Sequence, residues 1–524
     1  MNDAVAATPG RSASAPLQRV WTARARIDSA VIAGLTAATL TLGLFRSDST
    51  SLWTDELFGY ILASKPLPVL LRQLWSNNAN MSLYYLVLNG WLDLLNILGV
   101  THPAVWLIRL PSIVFAVGAV VAAYFVGKRL FGTVVGLVGA ILLLLNYVFL
   151  MEVAQARAYS IELFLLLVGW YLFIRILENP GRNNDRLVTG FGAVMLLAVY
   201  ADLFTGLVLL AQLAAFVALT VAGSISRASV RELIRPAVIA SSMIIVGIVP
   251  LAVDVLVHGA ANQWVPVPGL REVLTFAGAV SGANPGFAFV LLAGGILGVN
   301  IAVGRPEAME AHRLSPRAST ILLTTWIAVP FVLSWGLSQH PFGLHLFLTR
   351  YLLVIVPAIC LLSAAGLHSV ARSHLNLSRL MLLVAVLVAV TAVPEYYSRV
   401  QREDFRTASA WFAQRYQSGD GVVCASLGCA FAMEYYAPDR MESGAPGNYV
   451  WTPGIFGYVP IDPVTVATYA QTHSRLFYYY GTVGQSPYIS PDEQWLEANY
   501  RLLDRIVTVP GSAGTVTVEL WAAQ

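Results

Sequence analysis

Eleven apolar runs of membrane length constrain this chain more than any other feature of its sequence. They lie near residues 27–45, 104–126, 133–150, 160–176, 187–203, 204–222, 236–254, 286–303, 319–338, 350–367 and 380–394. A helix of about 20 apolar residues matches the hydrocarbon core of a bilayer. With 57% hydrophobic and 12% charged residues, the 524-residue chain has more apolar surface than a soluble fold buries. The sequence therefore predicts a polytopic α-helical membrane protein with about 11 transmembrane helices.

The basic residues between these runs predict the orientation of the chain. Alternate connections and the N-terminal tail place 17 basic residues on one side of the membrane, against seven on the other. Because short cytoplasmic loops are enriched in Lys and Arg, we expect a cytoplasmic N-terminus. We expect residues 1–26 to be a disordered cytoplasmic tail and residues 27–395 to be the transmembrane domain. The protein should then lie in the cell membrane as a multi-pass protein, with its C-terminal part outside.

The first outer loop, residues 46–103, contains one ambiguous segment. Residues 82–98 are apolar enough to suggest a span, but they include Asn89, Asp93 and Asn96. A crossing here would move every later basic loop to the outside, against the positive-inside rule. We therefore expect a helix that lies along the outer surface or re-enters it.

The composition changes near Tyr396, where apolar runs shorten and charged residues intermix. The patterns predict helices over 404–416 and 492–499, and strands over 421–425, 476–480, 501–509 and 515–521. Residues 396–524 should therefore form a small soluble α/β domain outside the membrane. Cys424 and Cys429 would lie in an oxidising compartment, where a disulfide and a pair of free thiols are both compatible with their spacing.

The run Trp53-Thr54-Asp55-Glu56 follows the first apolar segment closely and is the first candidate for chemistry. Ionisable residues at a bilayer boundary are functional candidates, because their burial is costly. The alternative is a polar loop start with an interfacial Trp anchor.

Polar residues from distant parts of the chain meet at the same outer boundary in this topology. Carboxylates act as general bases, Arg binds phosphate through its forked geometry, and aromatic rings stack on sugars. A single Arg-Tyr pair such as Arg350-Tyr351 would more simply be an interfacial anchor, but several such sites on one face favour a functional site. The candidates are Asp55, Glu56, Asn80, Tyr84, Tyr85, Arg109, Arg157, Tyr159, Asp202, His258, His340, His345, Arg350 and Tyr351.

The chain resembles the GT-C glycosyltransferases, in particular the branch that includes dolichyl-phosphate-mannose–protein mannosyltransferases and the lipid A aminoarabinose transferase. The resemblance covers most of residues 27–395, with its motifs in the same order. These motifs are Trp53-Thr54-Asp55-Glu56, Leu83-Tyr84-Tyr85, Arg109-Leu110-Pro111-Ser112, Lys128-Arg129-Leu130-Phe131-Gly132, Gln155-Ala156-Arg157-Ala158-Tyr159 and Arg350-Tyr351-Leu352. Relatives often have His-Pro-Pro before Leu-Tyr-Tyr, whereas this chain has Asn80-Met81-Ser82. That departure bears on the sugar or acceptor more than on the reaction class.

The resemblance implies transfer of a sugar from a polyprenyl-phosphate carrier to a hydroxyl acceptor on the outer face of the membrane, with inversion. The acceptor could be a protein, a glycolipid or a polysaccharide, and no nucleic acid is implied. Asp55 would be the base and Glu56 would orient the acceptor. The departing phosphate would be bound by Arg109, Arg157 or Arg350, with hydrogen bonds from Tyr159 and Tyr351. The remaining candidates would contact the substrates: Asn80, Tyr84, Tyr85, Asp202, His258, His340 and His345.

Some relatives use a divalent metal ion and others need none. Because the sequence has no separate cluster of carboxylates, we expect no metal cofactor here.

Two other classes of function compete with a transferase. A transporter or flippase of a lipid-linked sugar would explain many spans and intramembrane charges, but it predicts internal repeats and interrupted helices near the midplane. A membrane protein with a purely structural role would leave the acidic pair beside several outer-face arginines unexplained. The sequence favours the transferase.

Overall fold

The computed structural model describes residues 15–75, 80–180, 185–258, 265–301, 314–370, 375–399, 402–440, 449–452, 455–458, 463–482, 491–508 and 514–523. The helices before residue 400 are α1 (Ala15–Leu44), α2 (Thr54–Ala63), α3 (Leu67–Trp75), α4 (Ser82–Ile97), α5 (Val105–Phe131), α6 (Thr133–Leu144), α7 (Tyr147–Val153), α8 (Tyr159–Glu178), α9 (Asp185–Ala201), α10 (Thr205–Val221), α11 (Arg227–His258), α12 (Leu270–Val280), α13 (Pro285–Asn300), α14 (Pro316–Leu337), α15 (Val356–Val370), α16 (Leu375–Val390) and α17 (Val393–Arg399). A 3-10 helix, Tyr351–Ile355, leads into α15.

These helices confirm the predicted polytopic helical class. Within the described ranges, seven helices are long and apolar enough to span a membrane, and the bent pairs α6–α7 and α12–α13 would each supply one more span. The apolar runs 187–203 and 204–222 correspond to α9 and α10, which have 17 residues each. That length is at the lower limit for a span, so the count of eleven stays a prediction.

The first helix overlaps the predicted N-terminal tail. It begins at Ala15 and so includes residues 15–26, and the disorder expected for the tail stays a prediction. Pro16 lies in the first turn, where its missing N–H costs nothing, and no further Pro or Gly interrupts the chain before Gly34. Residues 1–14 lie outside the described residues.

Two helices of the membrane part approach each other unusually closely. A Cβ atom added to Gly366 of α15 would lie 2.0 Å from the carbonyl oxygen of Gly294 and 2.4 Å from the amide nitrogen of Gly298, both in α13. Ser363 Oγ also donates a hydrogen bond of 2.8 Å to the Leu291 carbonyl. Small residues three or four positions apart allow such backbone contact, which is typical of membrane helix pairs.

The C-terminal part is the predicted small α/β domain. Its helices are α18 (Phe405–Arg415), α19 (Leu427–Tyr436), α20 (Pro463–Ala470) and α21 (Pro491–Asn499), and its strands are β1 (Gly421–Cys424), β2 (Tyr449–Thr452), β3 (Ile455–Tyr458), β4 (Arg475–Thr482), β5 (Tyr500–Val507) and β6 (Thr515–Ala523). All six predicted helices and strands of this part are confirmed within a few residues. The main sheet has the order β1-β4-β6-β5, with β1 and β4 parallel and the other pairs antiparallel. Cys424 and Cys429 are buried free thiols.

The α/β domain packs directly on the first outer loop. Phe431 of α19 lies 5.8 Å from Phe58 of α2, measured between ring centres, and Tyr435 lies 5.0 Å from Tyr60. The Tyr436 hydroxyl accepts a hydrogen bond of 2.9 Å from the Leu52 N–H. Helix α19 of the α/β domain therefore contacts residues just before and within α2.

Candidate active site

The candidate site is organised by the first turn of α2. Asp55 and Glu56 are the second and third residues of this helix, where carboxylates interact favourably with the helix dipole. Consecutive residues of an α-helix point about 100° apart, so the two side chains enter different surroundings.

Asp55 lies between two arginines. Its Oδ2 atom is 3.1 Å from Nη1 of Arg350 and 3.8 Å from Nη2 of Arg157. The Asp55 side chain is 29% exposed, whereas those of Arg350 and Arg157 are 12% and 10% exposed. The carboxylate is therefore the most accessible member of the cluster, and the two arginine side chains are largely buried.

The two arginines come from chain segments that end membrane helices. Arg157 lies in the short connection between α7 and α8, and its Nη1 donates to the Asp55 carbonyl at 3.3 Å and to the Tyr85 hydroxyl at 3.2 Å. Arg350 directly precedes the 3-10 helix that leads into α15. The guanidinium of Arg350 lies 5.6 Å from the ring centre of Trp53 and 5.8 Å from that of Tyr351.

Glu56 and Arg109 form a separate, enclosed ion pair. Glu56 is 0% exposed, and its carboxylate oxygens accept hydrogen bonds from Arg109 Nε at 2.8 Å and Nη2 at 2.6 Å. The Ala156 N–H donates to the same carboxylate at 2.7 Å. Arg109 also donates to the carbonyls of Ser47 and Ser51 at 2.6 and 2.9 Å. Each group therefore satisfies the other in this geometry, and the expected roles of Glu56 in acceptor orientation and of Arg109 in phosphate binding stay predictions.

Four further predicted residues surround the Asp55 cluster. Tyr84 and Tyr85 are buried, and the Tyr84 hydroxyl accepts a hydrogen bond of 3.1 Å from Ser112. The buried Tyr159 hydroxyl has no hydrogen-bond partner among the described residues. The half-buried Tyr351 packs its ring 5.9 Å from that of Phe204.

Asp202 is a buried carboxyl in the connection between α9 and α10. Its Oδ1 atom accepts the Phe204 N–H at 2.9 Å, and its Oδ2 atom has no partner among the described residues. Burial raises the pKa of Asp202, whereas the positive charges of Arg157 and Arg350 and the Phe204 N–H lower it.

The structure does not bring Asn80, His340 or His345 into the Asp55 cluster. Asn80 is exposed and accepts the Leu203 N–H at 3.0 Å. His340 is exposed in a turn, and His345 Nδ1 contacts the Val265 carbonyl. His258 is the last residue of α11, and its side chain lies outside the described part of the chain.

Sequence reasoning gave no role to three charged residues that meet this site. Glu152 is fully buried and pairs with Arg402 at 3.4 Å, and the Arg402 guanidinium lies 4.4 Å from the ring centre of Trp53. Glu403 accepts two hydrogen bonds from Thr54. One feature of the sequence could have indicated Arg402 and Glu403, because they follow the last apolar run closely. Charged residues near a membrane boundary are costly to bury unless they have partners.

The described residues contain no group of three or more His, Cys, Asp or Glu side chains that could hold a metal ion. The expectation that no metal is needed stays a prediction.

Comparisons with known proteins define the fold. No protein-family model matches the chain, and a comparison with curated proteins finds no match. Among solved structures, ArnT from Cupriavidus metallidurans in the apo state is similar with a TM-score of 0.56 and 12% identity, over 94% of this chain and 98% of that one. ArnT bound to undecaprenyl phosphate gives 0.52 and 11%, over 93% and 97%. The Archaeoglobus fulgidus oligosaccharyltransferase in complex with Zn and sulfate gives 0.52 and 13%, over 86% and 67%.

The helices and these likenesses define a multi-pass membrane protein with an appended α/β domain. The chain shares its fold with ArnT and with the Archaeoglobus fulgidus oligosaccharyltransferase. At 11–13% identity, the likeness shows the fold alone.

The enclosed ion pair leads to a prediction about stability. Replacing Arg109 by Ala leaves the Glu56 carboxylate buried without its partner, which costs about 3–5 kcal/mol in typical cases. We expect a marked fall in the midpoint of thermal unfolding of the detergent-purified protein. Arg72→Ala, at an exposed position of α3, is the control and should leave the midpoint unchanged. A stable Arg109→Ala protein with weakened binding of a lipid-linked donor would restore Arg109 as a phosphate ligand.

Proposed function

We propose that the protein is a membrane glycosyltransferase that moves a sugar from a polyprenyl-phosphate carrier to a hydroxyl acceptor. The observation that carries this proposal is the pairing of one accessible carboxylate, Asp55, with the guanidinium groups of Arg157 and Arg350. Attack by a hydroxyl needs a base, and a departing lipid phosphate needs fixed positive charge. Both requirements are met within one cluster at the end of several apolar helices.

The fold supports a lipid-linked donor. ArnT, which has the same fold, was determined bound to undecaprenyl phosphate. In this chain an apolar cavity of about 620 Å³ lies among helices α8 to α11, and its lining reaches Gly206, close in sequence to Asp202 and Phe204. An isoprenoid tail fits the chemistry of such a cavity, while its phosphate would lie at the arginine pair.

The proposed reaction is a single displacement. The acceptor oxygen attacks the anomeric carbon as Asp55 takes its proton, and the bond from that carbon to the phosphate oxygen breaks. The electron pair leaves with the polyprenyl phosphate, whose charge Arg157 and Arg350 stabilise. Attack opposite to the leaving group inverts the anomeric configuration. Without a donor, both arginines bind Asp55, so the donor phosphate competes with Asp55 for them.

The reaction class can be tested with a panel of polyprenyl-phosphate sugars and the protein purified in detergent or reconstituted in vesicles. A transferase should release polyprenyl phosphate in the presence of its acceptor. Movement of the intact donor across the vesicle membrane without cleavage would instead favour a flippase.

The assignment of the base gives a prediction for Asp55. Asp55→Asn keeps the shape of the side chain but removes the proton acceptor, so turnover should fall by roughly 100-fold or more. Asp93→Asn removes an exposed carboxylate from the same outer loop and should leave turnover unchanged. The measurement is the rate of polyprenyl-phosphate release at saturating donor. Wild-type turnover in a folded Asp55→Asn protein would refute this role.

The second prediction concerns the donor phosphate. Arg350→Ala should raise the donor concentration that gives half-maximal rate, with a smaller effect on the acceptor. Arg350→Lys should restore binding in part, because an ammonium cannot reproduce the forked contact. Arg271→Ala, at an exposed position of α12, serves as a control. If Arg350→Ala binds the donor normally, the phosphate-binding role belongs to Arg157, and Arg350 is an interfacial anchor.

The distribution of basic residues supports an outer-face reaction, with the N-terminus in the cytoplasm and the α/β domain outside. A cysteine at the exposed position Ser474 should therefore react with a membrane-impermeant thiol reagent in intact cells, whereas one at Ala228 should not. The three natural cysteines are buried, so their background labelling should be low. Labelling of Ala228→Cys in sealed cells would contradict this orientation.

A further inference from the structure

The helix that carries Asp55 has no N-cap of its own. The residue before α2 is Trp53, whose side chain makes no capping hydrogen bond. The first N–H groups of a helix lack partners within the helix and need other acceptors. Here the acceptor comes from the opposite end of the chain, because Glu403 Oε2 accepts the Thr54 N–H at 3.3 Å.

A second bond makes this contact specific for Thr54. The Thr54 hydroxyl donates to Glu403 Oε1 at 3.1 Å, so both carboxylate oxygens hold one residue. Gly428 of α19 lies against the same hydroxyl: a Cβ added there would be 2.6 Å from Thr54 Oγ1. The start of α2 is therefore enclosed between the junction that follows the last span and the α/β domain.

The residues beside Glu403 hold the preceding loop in the same way. The Arg406 N–H donates to Ser51 Oγ at 3.1 Å, and the Arg402 guanidinium covers the Trp53 ring. Contacts from residues 402–406 thus follow the chain from Ser51 to Thr54 and stop immediately before Asp55.

We propose that Glu403 is a positioning residue that sets the register and direction of the first turn of α2, and that through it the α/β domain orients Asp55 for catalysis. This inference rests on the proposed function. Glu403 accepts both of these hydrogen bonds from Thr54, so its contact with the first turn of α2 passes through that residue.

The physical reason is the steep dependence of catalysis on geometry. A displacement of about 1 Å in a catalytic group can cost about 100-fold in rate, whereas one hydrogen bond contributes only about 1 kcal/mol to stability. Loss of one Glu403 contact should therefore change turnover far more than folding. A purely structural residue would show the opposite balance.

The main test compares two substitutions that act on opposite sides of the contact. Glu403→Met has no acceptor for either donor of Thr54, and Thr54→Val removes the hydroxyl donor. Each should lower kcat by about 10-fold and leave KM for the lipid-linked donor within about twofold, with the unfolding midpoint nearly unchanged. The double variant should lose little more than the worse single variant, because both changes break one contact. Thr54→Ser keeps the hydroxyl, so this variant should have the kcat of the wild type.

Asp404→Asn is the matched control. Asp404 adjoins Glu403 but caps α18 by accepting the Thr407 N–H at 3.0 Å, and Asn caps a helix equally well. This variant should keep wild-type kcat. Equal losses in Asp404→Asn and Glu403→Met would overturn the proposal, as would wild-type kcat in folded Glu403→Met and Thr54→Val.

Hydrogen exchange separates this inference from the proposed function. In Glu403→Met, the amides of the first turn of α2 should exchange several-fold faster than in the wild type, while those of α4 should not change. If the wild-type protein cleaves no polyprenyl-phosphate sugar, the proposed function fails, and exchange still decides whether Glu403 holds α2. Unchanged exchange in this turn would overturn the positioning role.

Discussion

The enclosed ion pair between Glu56 and Arg109 is the interaction on which the site depends. Burying two charges is unfavourable unless each is paired and its remaining hydrogen-bonding groups are satisfied. Here Arg109 of α5 binds Glu56 and the loop carbonyls of Ser47 and Ser51, and Glu56 also accepts the Ala156 N–H. One pair thereby joins the end of the first span, the start of α2 and the connection that carries Arg157. The adjacent Asp55 can then point outward with its surroundings already set.

Much of the fold followed from local sequence properties. Apolar length predicts membrane helices, and the change of pattern near Tyr396 predicts a soluble domain, because both depend on residues close in sequence. The same reasoning did not predict that the first helix begins at Ala15, within the stretch whose composition suggested disorder. Helix propagation depends on the neighbouring turn as well as on composition.

The candidate site was predicted only in part, for a different physical reason. The sequence placed Asp55, Arg157 and Arg350 at one boundary, but it could not distinguish an arginine beside an accessible carboxylate from one that is paired with a buried carboxylate. Arg109 and Arg350 both look like outer-face cations in the sequence, and only their partners separate them. The contact between Glu403 and Thr54 spans 349 positions and was outside the reach of any local pattern.

The close contact between α13 and α15 has a mechanical consequence. The backbones of these helices approach each other at Gly294, Gly298 and Gly366 so closely that no Cβ atom fits between them. Such close packing restricts movement of α13 relative to α15. Arg350 precedes α15 and is joined to it by a single 3-10 helix. In the proposed reaction, Arg350 would therefore exchange its carboxylate partner for phosphate by rotation of its side chain, while its backbone is held in place by α15.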